Sequence, residues 1–462
     1  MSQSELQGTL DELREELQVP GVAVGVLHEG RAGYAFAGVT SVENPLPVDE
    51  DTLFQFGSTG KTYTATAIMR LVERGEVDLD APVRTYVPEL QLKDEDVARE
   101  VTVLQLLNHT AGWDGDLMED MGNGDDALAR YVTRMATIEQ VTPLGATVSY
   151  NNASLSLAGR VIEKVTGTTY EQAMGDLVLQ PLGMTSTWFF PDDVMTRRFC
   201  VGHERHEDGR TTIARPWAIP RGNNPAGGMS APARDQIAWA RFHLGDGTAA
   251  DGSRVLSTDT LRRMQQPTVE MPGSALGDAV GISWLLADLG GVRVVKHGGT
   301  TNGQHSELQL VPERGFAVTS LTNSEPNGPK LNDRVVRWAL EHYLGVRVED
   351  PEPVRLPDEQ LAPYTGRYET IAVVIDVTAT DGRLSAAITV KPDAAAALRE
   401  QGEEVPKQPS IVIGLLGQDG DAYVVDEGDA KGMRGYFTRT DGRVAGLHLG
   451  GRLATRTSAP GA

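Results

Sequence analysis

Phe56-Gly57-Ser58-Thr59-Gly60-Lys61-Thr62 leads into a strong helical pattern from Thr62 to Arg74, with Ile68, Leu71 and Val72 on one side and Gly75 as its stop. If the helix opens at Ser58, the hydroxyl of Ser58 and the amine of Lys61 lie on one face about one turn apart. A serine hydroxyl is a poor nucleophile until a nearby base removes its proton. An amine can serve as that base when burial or neighbouring positive charge lowers its pKa. Backbone amides at the start of the helix also favour a developing oxyanion. A plainer reading of the same residues is a helix start with Ser58 as cap and Lys61 solvated. A third reading, the phosphate-binding loop, requires a glycine five residues before Gly60. That position is Gln55, so the loop is too short to cradle phosphates, and the nucleotide-hydrolysing reading is excluded.

Working outward from this segment, residues 3–17 read as an amphipathic helix with Leu6, Leu10, Leu13 and Leu17 at helical spacing. Val22–Leu27 and Ala32–Ala37, around Glu29-Gly30, read as an antiparallel hairpin. From about residue 76 to 270 the chain is mainly helical. Strand-like text returns near Gly281–Trp284, Val292–Val295, Leu308–Val311 and Ala317–Leu321, and a last helix covers about Leu331–Leu344. The expected architecture is therefore α/β: one sheet built from both ends of the segment 1–345, with helices and a large, mainly helical insertion between them. A cleft for a small molecule is expected where sheet and helices meet. Composition shifts at Glu349-Asp350-Pro351-Glu352-Pro353, which predicts a first domain over 1–348 and a linker over 349–359. Short Gly-punctuated strands then predict a small all-β barrel or sandwich over 360–462.

The chain has 462 residues, more than a single core usually supports. Its 64 acidic residues against 42 basic ones give a formal net charge of −22, a surface that repels phosphate backbones and anionic lipid. Nucleic-acid and membrane partners are therefore not expected; a small-molecule substrate is, and a homo-oligomer is allowed. Cys200 is the only cysteine, so no intrachain disulfide can form. The start of the chain is polar and acidic, unlike a secretory signal, which leads to the expectation of a cytoplasmic protein.

Two further segments carry chemistry. Ser149-Tyr150-Asn151-Asn152 precedes an apolar helical run from Leu155 to Val165, so Tyr150 and Asn152 could both face a cleft. Lys296-His297-Gly298-Gly299-Thr300 follows a strand-like run, and its glycines allow close approach of another backbone. The order Ser-x-x-Lys, Tyr-x-Asn, His/Lys-x-Gly resembles the penicillin-recognising serine hydrolases: class C β-lactamases, DD-peptidases, D-aminopeptidases and related esterases. Leu106–Gly112, Pro181-Leu182-Gly183-Met184 and Ala226-Gly227-Gly228-Met229-Ser230 are supporting matches, so that the resemblance covers about residues 10–345.

The resemblance implies a β-lactamase-like antiparallel sheet flanked by helices. It implies Ser58 as the acylated nucleophile, Lys61 as its activator and Tyr150 as the proton shuttle to and from the leaving group. Asn152 would hold a substrate carbonyl or amide. His297 would stand where many relatives place a lysine, with Gly298, Gly299 and Thr300 lining the substrate. The N–H groups of Ser58 and Thr300 would form the oxyanion hole. Lys296-His297-Gly298 offers a second register, Lys-x-Gly, that would move the hole to Gly299; the Gly-Gly after His297 favours the first. Tyr364-Thr365-Gly366-Arg367-Tyr368 resembles the opening of a lipocalin-like domain.

The expected activity is hydrolysis of carboxylic esters or amides of small molecules or D-amino-acid peptides, with no metal or organic cofactor. The alternatives are an acyltransferase or peptide-cyclising thioesterase, and a non-catalytic binding protein. His109 reads as a structural hydrogen-bonding residue and Cys200 as a buried, idle thiol. His203-Glu204-Arg205-His206 lacks the spacing of a zinc-protease helix and reads as surface loop.

Overall fold

A computed structural model describes residues 3–400, 410–417, 420–428 and 430–458. Its contacts group the chain into two compact units. The first comprises Met1–Gln140, Asn151–Thr268 and Val280–Val348. The second comprises Val141–Tyr150, Val269–Ala279 and Glu349–Ala462, so two short pieces from within the range 1–348 associate with the C-terminal strands.

The first unit is built on an antiparallel sheet. Within this unit its strands are β1 (Gly21–His28), β2 (Arg31–Gly38), β3 (Leu285–Leu289), β4 (Val292–Thr301), β5 (Gln304–Val311) and β6 (Phe316–Thr322). Their spatial order is β2-β1-β6-β5-β4-β3, so the first strands of the chain lie beside the last ones, as expected from the sequence. Register is set by pairs such as Val24 opposite Ser320 and Gly299 opposite Ser306. The β4–β5 hairpin turns on Asn302-Gly303, with Gly303 at φ +68°. A two-residue turn of this composition matches the twist of its strands.

Helices α1 (Gln3–Leu17) and α5 (Asn327–Leu344) cover one face of the sheet. Leu6, Leu10 and Leu13 of α1 join Val22, Val24, Val318, Leu331 and Val335 in one buried cluster, the physical consequence of the helical leucine spacing. Helix α4 (Ala233–Leu244) packs on β1, where Gly25 leaves room: a Cβ there would stand 2.6 Å from Ile237. Helix α2 (Gly60–Glu73) is buried nearly all round despite its three threonines. Each threonine hydroxyl has a carbonyl acceptor, Thr62 to Thr59 at 2.7 Å, Thr64 to Pro225 at 2.7 Å and Thr66 to Thr62 at 2.8 Å. Satisfied hydroxyls are what allow so polar a helix into the interior.

His243 of α4 is enclosed by Trp239, Phe242 and Trp284 at 4.4, 5.1 and 4.9 Å between ring centroids. Burial pushes its pKa down to about 3, so it is folded neutral. The unfolded chain therefore binds this proton at a higher pH than the native state does. The stabilisation is fully present above about pH 6.5 and is lost as pH falls toward 3. Urea unfolding should show native stability falling by up to about 1.4 kcal/mol per pH unit from this group across that window. His243→Gln should flatten the slope by about one proton; an unchanged slope would mean that His243 does not titrate on unfolding.

The second unit contains a closed barrel of eight antiparallel strands. These are β7 (Gly366–Glu369), β8 (Val373–Thr380), β9 (Arg383–Val390), β10 (Ile411–Leu415), β11 (Ala422–Glu427), β12 (Arg434–Thr440), β13 (Arg443–Leu449) and β14 (Arg452–Ser458). Each strand pairs with its neighbour in sequence, and β7 pairs with β14 to close the cylinder. Closure removes the unpaired edges that an open sheet of this size would carry. Tyr368, Tyr423, Phe437, Leu384 and Leu447 are buried in its core. The buried phenols donate to carbonyls, Tyr368 to Tyr364 at 2.6 Å and Tyr423 to His448 at 3.0 Å.

Among the described residues no helix is long and apolar enough to cross a membrane. The stretch 203–206 corrects a sequence expectation. His203–Arg205 is a strand, and His203 is fully buried rather than on a surface loop. Its Nε2 accepts from the Val42 N–H at 3.1 Å while Nδ1 meets the Asn323 carbonyl at 2.8 Å. Two backbone partners, one on each ring nitrogen, account for a histidine so deeply placed; burial lowers its pKa.

Candidate active site

The chain enters the site through a 3-10 turn over Gly57–Thr59, and α2 proper begins at Gly60. Ser58 thus sits two residues before the regular helix rather than opening it. Its side chain does not cap the helix. Lys61 is fully buried, which overturns the plain reading of a solvated lysine. Its Nζ donates to the Ser58 Oγ at 3.0 Å and to the Ala226 carbonyl at 2.7 Å. The amine is therefore held against the hydroxyl by a second, fixed backbone acceptor. Neither the Ala226 carbonyl nor its use was legible beforehand, although the segment around it stood out as a motif.

Glycines bring three backbones together around Ser58. Gly57 has φ +50°, a region that favours glycine, and a Cβ on it would stand 2.7 Å from the Thr300 nitrogen. A Cβ on Gly299 would meet the Phe56 carbonyl oxygen at 2.0 Å and the Ser58 nitrogen at 2.6 Å. One on Gly227 would meet the Ser58 nitrogen at 3.1 Å. No other residue fits at these contacts, and the result is that the end of β4 lies against the turn carrying the serine. Two hydroxyls tie the contact down. The Thr59 Oγ1 lies 2.9 Å from the Ser306 Oγ and donates to the His297 carbonyl at 3.2 Å, and the Ser306 Oγ donates to the Phe56 carbonyl at 2.7 Å. Thr59 and Ser306 were missed from sequence, since no local pattern links residues nearly 250 positions apart.

Strand alternation places Lys296 and His297 on opposite faces of β4. His297 is buried and its pKa is pushed down to about 3, by burial first and then by the charge of Lys61. The ring is therefore uncharged near neutrality, with Nδ1 2.6 Å from the Gly298 carbonyl. Lys296 instead shares its face with Glu307, the residue opposite Gly298 on β5, and its charge acts on that carboxylate.

Asn152 begins α3 (Asn152–Thr166), with Asn151 as its cap accepting from the Ser154 N–H at 2.8 Å. The Asn152 amide donates to Asp116 at 3.0 Å, which orients it. His109 accepts from the Asn151 N–H at 3.1 Å, the structural role expected of it. Cys200 is buried. Tyr150 precedes Asn151 in the chain and belongs to the second unit.

A cavity of about 330 Å³ opens beside Gly227 and Thr301 and is lined by Phe189, Phe190, Trp217 and Arg221 among others. Its size is that of a small-molecule site. Arg221 has its charge met by Glu171, at 3.0 Å, and Asp125, at 3.0 Å. Sequence reading had passed over all four of these lining residues. Among the described residues no cluster of three or more His, Cys, Asp or Glu side chains is placed to hold a metal ion.

A serine bonded to a buried lysine, on a turn pressed against the sheet, inside an antiparallel sheet with flanking helices, defines a β-lactamase-like serine hydrolase. The chain belongs to the beta-lactamase family, whose profile matches residues 6–342. It is 35% identical over 370 residues to penicillin-binding protein 4 of Amycolatopsis lactamdurans, covering 79% of this chain and 96% of that protein. The solved structure of SurE is similar over 98% of this chain and 99% of that one, with a TM-score of 0.78 and 27% identity. A structure of SurE with D-Leu gives a TM-score of 0.76. A class C beta-lactamase from Rhodobacter sphaeroides covers 73% of this chain and 99% of its own, with a TM-score of 0.60 and 26% identity.

Proposed function

We propose that this chain hydrolyses carboxylic esters or amides of small molecules or D-amino-acid peptides through an acyl-Ser58 intermediate. The observation that carries the proposal is the 3.0 Å hydrogen bond between Lys61 Nζ and Ser58 Oγ in a buried setting. The Ser58 oxygen attacks the substrate carbonyl carbon as its proton passes to the basic group beside it. The carbonyl oxygen becomes an oxyanion, received by the N–H groups of Ser58 and Thr300. Collapse breaks the bond to the leaving group, which takes a proton through Tyr150. Water then adds to the acyl-serine, and the same path in reverse returns the free acid and the serine.

Two observations bear on the substrate. His297 is uncharged, so this position supplies no fixed cation for a substrate carboxylate. That favours esters and amides over substrates anchored there by a carboxylate. Likeness to SurE, a protein solved with D-Leu, favours D-amino-acid derivatives within that class. Asn152, oriented by Asp116, is proposed to hold a substrate carbonyl or amide.

Intact-mass analysis after exposure to a fluorophosphonate probe tests the central step. One adduct, located on Ser58, is expected. A folded protein that takes up no adduct would end the hydrolase reading. A panel of simple esters, D-amino-acid amides and nitrocefin then assigns the acyl group.

A further inference from the structure

The C-terminal barrel has a specific relation to residues 147–150. Each of these four consecutive residues is held by a barrel strand or the turn between two of them. Thr147 shares a side-chain hydrogen bond with Tyr436 of β12. Val148 bonds through its backbone to His448 of β13, a buried ring stacked on Tyr436 at 4.5 Å between centroids. The Ser149 Oγ accepts from the Leu453 N–H of β14 at 3.4 Å. Tyr150 donates its own N–H to the Gly451 carbonyl at 2.8 Å. Gly450 and Gly451, at φ +57° and +83°, form the turn between β13 and β14 that presents this carbonyl.

The residue after that turn is Arg452. Its guanidinium lies over the face of the Tyr150 ring, 5.0 Å from the centroid. Arg452 is half-buried and Tyr150 only 8% exposed, so the contact is partly withdrawn from water. A guanidinium over an aromatic face is attracted by the ring quadrupole, and more strongly when water is excluded. A ring held at its backbone on one side and under a planar cation on its face has little freedom left. Proton transfer is sensitive to such positioning, because donor and acceptor must stay within hydrogen-bond reach.

We propose that the β13–β14 turn anchors residues 147–150 and that Arg452 is a positioning residue that seats the ring of Tyr150 for proton transfer. The proposal rests on the reading of Tyr150 as the proton shuttle. Arg452 acts through the phenol, not on the substrate.

A double-mutant cycle on the full-length protein, read with p-nitrophenyl acetate, tests this. Arg452→Met keeps an apolar stem and removes the charge. It should lower kcat roughly 3- to 30-fold, the span of an ion–ring interaction that is partly desolvated, with KM unchanged within twofold. Arg452→Lys, which keeps a cation, should recover most of the loss. In a Tyr150→Phe background, Arg452→Met should cost nothing further, because the hydroxyl it serves is gone. An equal loss in both backgrounds, or a rise in KM at constant kcat, would show Arg452 acting on the substrate and overturn the proposal. If Arg452→Met fails to fold, Arg452→Lys decides, since a loss beyond about threefold on its folded form would overturn a role for the cation. If Tyr150→Phe itself leaves turnover intact while Ser58 still labels, the shuttle reading fails, and the positioning role falls with it.

Discussion

Ser58→Ala is expected to abolish turnover of p-nitrophenyl acetate and of any natural acyl donor, while the protein keeps its fold. The covalent intermediate needs the Oγ, and no neighbouring group can take its place in the same position. The loss of catalysis should therefore extend to the background rate of the assay. Stability should change little, by about 0.5 kcal/mol or less. The reason is local: the hydroxyl is partly exposed, does not cap the helix, and accepts one hydrogen bond from Lys61. Comparing thermal unfolding with the rate separates the two effects. Substantial hydrolysis by the folded variant would remove Ser58 from the chemistry.

Lys61→Met should be nearly as damaging to activity and should leave the melting temperature unchanged or higher. Methionine has nearly the length of lysine and fills the same buried space, so packing is preserved. What disappears is a buried amine that donates to the Ser58 hydroxyl and to the Ala226 carbonyl. Burying an amine costs stability, and removing it relieves that cost, while leaving the Ala226 carbonyl without this donor offsets part of the gain. The rate should fall roughly 10²- to 10⁴-fold, the scale of a positioned proton transfer. A residue retained at the expense of stability is a mark of function. Should Lys61→Met melt far below the parent, Lys61 would be a structural tie between α2 and the segment at Ala226 rather than the activator of Ser58.

These two variants probe what was most legible in the linear chain. The Ser-x-x-Lys spacing works because three residues make one turn, so two side chains meet without help from the rest of the fold. The leucine spacing of α1, the hairpin of β1 and β2 and the short strands after residue 360 were legible for the same reason: each follows a local period. The solvated-lysine alternative could not be dismissed locally, because the burial of Lys61 depends on residues 165 positions away. Likewise His203 looked like surface loop, since the Val42 and Asn323 groups that satisfy it are distant in sequence.

The chain by itself determined the periods of its helices and strands, the absence of a disulfide and the local pairing of Ser58 with Lys61, because these depend on composition or on neighbours within a turn. Tertiary structure alone decided which glycines matter and what they admit: Gly57 and Gly299 are necessary only because β4 comes within contact of the serine's turn. It also decided the charge state of His297, set by burial and by Lys61, and the attachment of residues 147–150 to the barrel. Those properties arise from close approach and exclusion of water between remote segments, and neither distance nor burial is written in the order of the residues.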